Sequence, residues 1–221
     1  IICEKPAQAE KVAQALADTK PKKQAINKVP YYELEYKGKK IIVGCAVGHL
    51  FTVAEKTKNG LAYPIFDLEW KPAYEVKKSS EFSKKYVEAL RKLVKQADAF
   101  TVACDYDIEG SVIGWNCVRF IANKKDGKRM KFSTLTKDEL RQSYENASQH
   151  LDFPQIYAGE TRHLLDWLWG INMSRALMAS IKKAGSFKIM SVGRVQGPAL
   201  KIVVDKEREI QKFKPVPFWQ L

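Results

Sequence analysis

The 221 residues contain no C-x-x-C pair, no apolar run of membrane-spanning length, no signal-peptide pattern, and no internal repeat or low-complexity tract. Membrane insertion and secretion are therefore not expected. The cysteines, Cys3, Cys45, Cys104 and Cys117, are isolated from one another. They read as reduced core thiols of an intracellular protein ahead of zinc ligands or disulfides. Acidic side chains are scarce beside basic ones, 25 Asp and Glu against 38 Lys and Arg, leaving a net charge of +13. A surplus of that size favours a polyanionic partner, nucleic acid before an anionic membrane. The length suffices for one large domain or two smaller ones with a real core. The chain starts at Ile1 without an initiator Met, so an upstream residue or two is expected.

What is present centres on Phe100–Gly110. Phe100–Cys104 reads as a buried strand that runs into Asp105-Tyr106-Asp107-Ile108-Glu109-Gly110, three acids at alternate positions where a strand ends. In extended chain, residues two apart share a face at about 6.5–7 Å. Asp105 and Asp107 can then approach one hard cation together. Magnesium, which prefers a few carboxylates plus water and phosphate oxygens, suits such an open cluster. Gly110 lets the chain turn into the next helix. Taken alone, the spacing equally suits a solvated acidic turn at a helix N-terminus.

Ile1-Ile2-Cys3 reads as the end of another buried strand, and Pro6 as the first turn of a helix with Ala9, Val12, Ala13 and Leu16 on its apolar face. Glu4 and Lys5 then stand at a strand-to-helix junction, as the acidic cluster does. In a parallel α/β sheet such junctions share the carboxyl edge, where ligands bind. Thr19–Pro30 reads as a loop, and Tyr31–Tyr36 with Lys40–Cys45 as a hairpin. Gly44, Gly48 and His49 follow in a tight passage; His49 is placed to contact a phosphate or a base, or to be structural. Glu55–Lys78 reads as a loop around a short strand. Helices are expected over Glu81–Gln96, from Ile108 to about Ala122, and from the capping box Thr136-Lys137-Asp138-Glu139 to about Ala147, with a short strand at Met130–Ser133. Beyond Pro154, Gln155–Lys183 is helix-compatible with an interruption near Gly170, and a basic amphipathic helix runs from Arg194 to about Phe213. The fold class expected is α/β, a Rossmann-like, mainly parallel sheet flanked by helices over residues 1–150, followed by an α-helical segment over 151–221.

These pieces together resemble the type IA DNA topoisomerases, through their Toprim domain and the start of the helical domain after it. Glu4-Lys5-Pro6-Ala7-Gln8-Ala9 resembles the first Toprim motif in its E-K-P form, and Asp105–Gly110 the second. Arg162 with Asp166-Trp167-Leu168-Trp169-Gly170-Ile171-Asn172 is similar to the family's R-x-x-x-D-W-L-x-G-x-N stretch. Ser191-Val192-Gly193-Arg194-Val195-Gln196 is similar to its DNA-contacting S-x-G-R-V-Q segment.

The resemblance implies that Glu4, Asp105, Asp107 and Glu109 bind Mg2+, that Glu4 also acts as general acid or base, and that Lys5 sets a positive charge against the scissile phosphate. Gln8 stands near the position where another branch of the family carries its lysine. Single-stranded DNA is expected along Arg162, Asp166, Asn172, Ser191, Val192, Gly193, Arg194, Val195 and Gln196, with His49 a further contact. From the residues alone, Arg162 and Asp166 are equally an intrahelical pair. The implied enzyme is an ATP-independent isomerase that relaxes negatively supercoiled DNA, cytoplasmic and nucleoid-associated. The family's nucleophilic tyrosine has Pro-Arg-Thr surroundings that no tyrosine here shares, so a fragment is expected, whose missing domains carry that tyrosine. A Toprim nuclease or primase, and a non-catalytic DNA-binding module, are the alternatives.

Overall fold

The computed structural model describes residues 1–58 and 60–220. Its elements in chain order are β1 (Ile2–Cys3), α1 (Pro6–Leu16), β2 (Lys22–Ile26), β3 (Val29–Tyr36), β4 (Lys39–Cys45), β5 (Phe51–Glu55), β6 (Leu68–Pro72), α2 (Ala73–Val76), α3 (Lys84–Leu93), β7 (Thr101–Ala103), α4 (Ile108–Phe120), β8 (Lys128–Arg129), α5 (Lys137–Glu145), α6 (Phe153–Lys183) and α7 (Gln196–Lys212). The chain divides into two compact units, one of residues 1–54 and 69–163, the other of residues 55–68 and 164–221.

The first unit is built on a six-stranded sheet in the order β2-β3-β4-β1-β7-β8. The strands β4, β1, β7 and β8 run parallel to their neighbours within that group, and β2 and β3 extend the sheet as antiparallel hairpins. Both faces are covered. On one, Val12, Ala13 and Leu16 of α1 and Leu140 of α5 pack with Tyr32, Leu34, Ile41 and Val43. On the other, Val87 and Leu90 of α3 and Ile113, Cys117 and Val118 of α4 pack with Ile2, Val102 and Phe100. Each such aliphatic side chain taken from water contributes about 1.5–3 kcal/mol before the entropy of ordering it is set against that gain. A sheet covered on both faces explains why its central strands read as unbroken apolar runs instead of alternating ones. All four cysteines are buried and unpaired, and burial pushes the Cys3 and Cys117 thiols up to about 12.

Several local expectations are corrected. Residues 19–30 hold β2, not a loop: Lys22–Ile26 pairs with β3 across a two-residue turn at Asn27 and Lys28, both at positive φ. A tight hairpin turn needs that backbone, and Lys in place of Gly hid it. The helix expected from Glu81 opens as a 3-10 turn over Lys78–Ser83 and becomes α-helical at Lys84. The short strand lies at Lys128–Arg129, two residues before the expected one. Thr136 caps α5 with its backbone alone; Glu139 instead accepts the amides of Ser133 and Thr134. α6 runs through Gly170 without interruption.

In the second unit, the stretch 55–68 is fastened to α6 by side chains reaching its main chain. The Asn172 amide accepts from the Ile65 N–H at 2.8 Å and donates to the Ile65 carbonyl at 2.9 Å. Arg175 spans Glu55 at 3.0 Å and the Ala62 carbonyl at 2.9 Å. The Val192 amide donates to Ser174 Oγ at 2.8 Å, tying the passage before α7 to the same helix.

Candidate functional site

Register places the site. Cys3 of β1 lies level with Cys45 of β4 and Ala103 of β7, so Glu4, Ala46 and Cys104 leave the sheet side by side at its carboxyl edge. The Glu4 carbonyl accepts the amides of Val47 at 2.7 Å and Gly48 at 3.1 Å, which fixes the loop carrying His49 against β1. Lys5 is the N-cap residue of α1, extended at φ −130°, and Asp107 is that of α4.

At this edge one ammonium joins two acids. Lys5 Nζ lies 3.1 Å from Glu4 Oε1 and 3.1 Å from Asp105 Oδ2. Glu4 first and Asp105 second hold the Lys5 ammonium above the usual lysine value. Gln8, buried on α1, accepts the Glu4 N–H and donates Nε2 to Asp105 Oδ1, each at 2.8 Å. Beneath them Arg129, 1% exposed, donates to the Cys104 carbonyl at 2.8 Å and to the Asp105 carbonyl at 2.7 Å. Burial lowers the Arg129 pKa from its ordinary value. The strand ends at Ala103, so Asp105 and Asp107 do not continue its alternation. Asp107 turns Oδ1 to the Gly110 amide at 2.6 Å, capping α4. Gly110 is required there because a Cβ would stand 2.2 Å from the Asp105 carbonyl oxygen.

Glu109, in the first turn of α4, meets two imidazoles. Its Oε2 lies 3.0 Å from His49 Nε2 and 2.9 Å from His163 Nε2, while Arg162 reaches Oε1 at 3.3 Å. Burial alone would raise this carboxyl, but His163, His49 and Arg162 outweigh it and hold it below the usual carboxylate value. Burial first, then His163, lowers the His49 pKa. Among the described residues, His49, Glu109 and His163 are the group of three whose ligand atoms come within 4.8 Å of one another.

In the second unit Arg194 donates Nε to Asp166 Oδ1 at 2.7 Å, and that carboxylate raises the Arg194 pKa. The pair is about half exposed. α7 starts at Gln196, two residues after the expected Arg194, so Gly193 and Arg194 lie in the turn before it. Ser191 Oγ approaches Gln196 Oε1 at 3.5 Å.

Comparison with known proteins matches the description "Toprim domain" to residues 1–135 and "DNA topoisomerase" to residues 150–221. The chain belongs to the Toprim-containing DNA topoisomerases. This is the type IA family that its motifs resemble. DNA topoisomerase 1 of Methanocaldococcus jannaschii is 52% identical over 99% of this chain and 28% of that protein. DNA topoisomerase 1 of Pyrococcus horikoshii is 48% identical over 99% of this chain and 32% of that protein. The structure of full-length topoisomerase I from Thermotoga maritima covers 97% of this chain with 31% of its own, at 25% identity and a TM-score of 0.65. The chain thus spans about 28–32% of the length of these topoisomerases.

Within this topoisomerase fold, Glu4, Lys5 and Asp105 are brought together directly, with Asp107 at the adjoining helix entrance and Glu109 in the first turn of that helix. Gln8, Arg129 and His163 were missed by sequence reasoning. Gln8 had a signal, since a Gln at the third position of a helix is placed to reach back to an amide at the helix N-terminus, as it does to that of Glu4. His163 had one too, beside Arg162 in the motif already singled out. Arg129 had none, being one more cation in a basic run that also holds Lys124, Lys125, Lys128 and Lys131.

Proposed function

We propose that this chain supplies the metal-binding and strand-positioning part of a type IA topoisomerase that relaxes negatively supercoiled DNA by transient single-strand cleavage, strand passage and religation. Residues 1–150 serve as the metal-binding domain and 151–221 as the DNA-contacting helical segment. The observation that carries this reading is the Lys5 ammonium between Glu4 and Asp105 at the carboxyl edge of β1 and β7. Two carboxylates there already converge on one cation.

The donor set fits Mg2+. Glu4, Asp105, Asp107 and Glu109 offer hard carboxylate oxygens at an open edge, the chemistry magnesium prefers to nitrogen or sulfur. When bound, the ion supplies positive charge to the phosphate undergoing transfer. Glu4, at the head of α1, moves the proton as general acid or base, and Lys5 stabilises charge on the phosphate oxygens. Gln8 and Arg129 hold Asp105 from its side chain and from its main chain. Single-stranded DNA follows Arg162, Asp166, Asn172, Ser191, Val192, Gly193, Arg194, Val195 and Gln196, with His49 a further contact. Asn172 acts there through the main chain of Ile65. The nucleophilic tyrosine comes from outside these residues. No helix among the described residues is long and apolar enough to cross a membrane, and we place the protein in the cytoplasm with the nucleoid.

The test is to incubate the chain with negatively supercoiled plasmid and magnesium, beside Asp107→Ala, and to measure single-stranded DNA binding across a salt series. An intact plasmid is expected, with DNA affinity that falls linearly in log salt as phosphates are neutralised. Nicking by the unmutated chain alone would instead make these acids a Toprim nuclease.

A further inference from the structure

We propose that His49 Nε2, His163 Nε2 and Glu109 Oε2 form a three-donor site for a transition-metal dication of the zinc type. The three side chains come from three separate, well-anchored elements of the first unit. His49 sits in the loop whose amides are bound by the Glu4 carbonyl. Glu109 is in the first turn of α4, and His163 is on α6 with its ring 5.4 Å from that of Trp70. The two imidazoles meet edge to face at 4.8 Å between ring centres and aim their Nε2 atoms at one carboxylate oxygen.

That convergence is the geometry a small ion needs. The two N···O separations, 3.0 and 2.9 Å, are a few tenths of an ångström short of the spacing between neighbouring ligands of a tetrahedral ion with bonds of about 2.0–2.2 Å. Small rotations of the side chains open that gap. Two nitrogens and one oxygen select zinc, cobalt or nickel over magnesium. Arg162 at Oε1 holds the other carboxylate oxygen, as an outer hydrogen bond commonly does for a metal-bound acid. His49 Nδ1 is buried with no hydrogen-bond partner among the described residues, and Glu109 Oε2 accepts at Nε2, so an ion bound there takes the place of that proton. The three side chains are each about a quarter to a third exposed, so an ion can enter and keep a position for water.

Glu109 also belongs to the magnesium set proposed above, and the two sites are told apart by ligand type, the imidazoles of His49 and His163 being the donors that only this one uses. Cobalt(II) is the probe: the chain is titrated with it and visible absorption is followed, then zinc is added in competition. A visible band of four- or five-coordinate cobalt without a thiolate charge-transfer band is expected, and zinc should abolish it. His49→Gln and His163→Gln should each weaken binding by more than about 10–100-fold, the range for losing only an outer partner, whereas Asp105→Asn should leave it within about twofold. Zinc should also shift the histidine ring NMR signals of the unmutated chain, a readout that survives if a variant fails to fold. No cobalt band in the unmutated chain, unmoved histidine signals, or binding lost with Asp105→Asn but kept in the histidine variants would overturn the proposal.

Discussion

Gln8 is hydrogen-bonded to Asp105, Nε2 to Oδ1 at 2.8 Å, and with its other end takes the Glu4 amide. One buried carboxamide therefore sets the spacing of the two strand ends on which the proposed magnesium site rests. Gln8→Ala is expected to weaken Mg2+ binding by about 10-fold, the lower end for losing an outer-shell partner. Calorimetric titration of Mg2+ into the chain checks this, and unchanged affinity would reduce Gln8 to a packing residue.

Arg129 is the only Arg or Lys among the described residues classed as buried, and it donates to the carbonyls of Cys104 and Asp105 from below. Arg129→Met fills the volume but leaves those carbonyls unpaired. A loss of about 2–4 kcal/mol is expected, since each orphaned buried acceptor costs roughly 1–3 kcal/mol. Urea denaturation measures it.

Two glycines should respond in opposite directions. Gly110→Ala forces a Cβ to 2.2 Å from the Asp105 carbonyl oxygen, and backbone must move. Destabilisation of about 3 kcal/mol or more is expected, together with loss of Mg2+ binding. Gly197→Ala meets nothing within 4 Å in α7. It is expected to gain up to about 1 kcal/mol of helix stability. Thermal melts of the two variants side by side decide both.

Asp126 anchors the passage into α6, accepting the Leu151 amide at 3.0 Å and the Gly127 amide at 2.7 Å on Oδ1, with His150 on Oδ2. Burial would raise this carboxyl, but the Leu151, His150 and Gly127 contacts hold it below the usual value. As pH falls, the unfolded chain takes up this proton before the folded one does. The contribution is therefore complete above an ordinary carboxylate pKa near 4 and is lost as pH drops through the lower folded value. Asp126→Asn should cost about 1 kcal/mol near pH 7, discounted because the group is about one-third exposed. The gap between parent and variant should narrow toward about pH 3, which urea titrations at both values would show.

Much of this was legible because it rests on short-range rules. Pro6 marks the start of α1, apolar runs mark β1 and β7, and alternate acids mark the junction after β7. What was hidden depends on the sheet being assembled. Glu109 turns to His49 and His163 only because parallel register brings the loop after β4 beside α4, with α6 packed alongside. The turn at Asn27 and Lys28 lacks the glycine that usually signals positive φ. The Glu139 carboxylate is drawn to the loop ahead of α5, where it accepts the amides of Ser133 and Thr134, and Thr136 is left to cap the helix with its backbone alone.

Lys5 carries a last consequence. Its ammonium is more than half exposed yet touches two carboxylates. The acidic edge therefore folds as an ion exchanger already loaded with a counter-ion, one tethered to the chain itself. Repulsion between Glu4 and Asp105 is balanced before any solute arrives. Since the tether is a flexible side chain, unloading needs only its rotation into solvent, with the strand ends left in place.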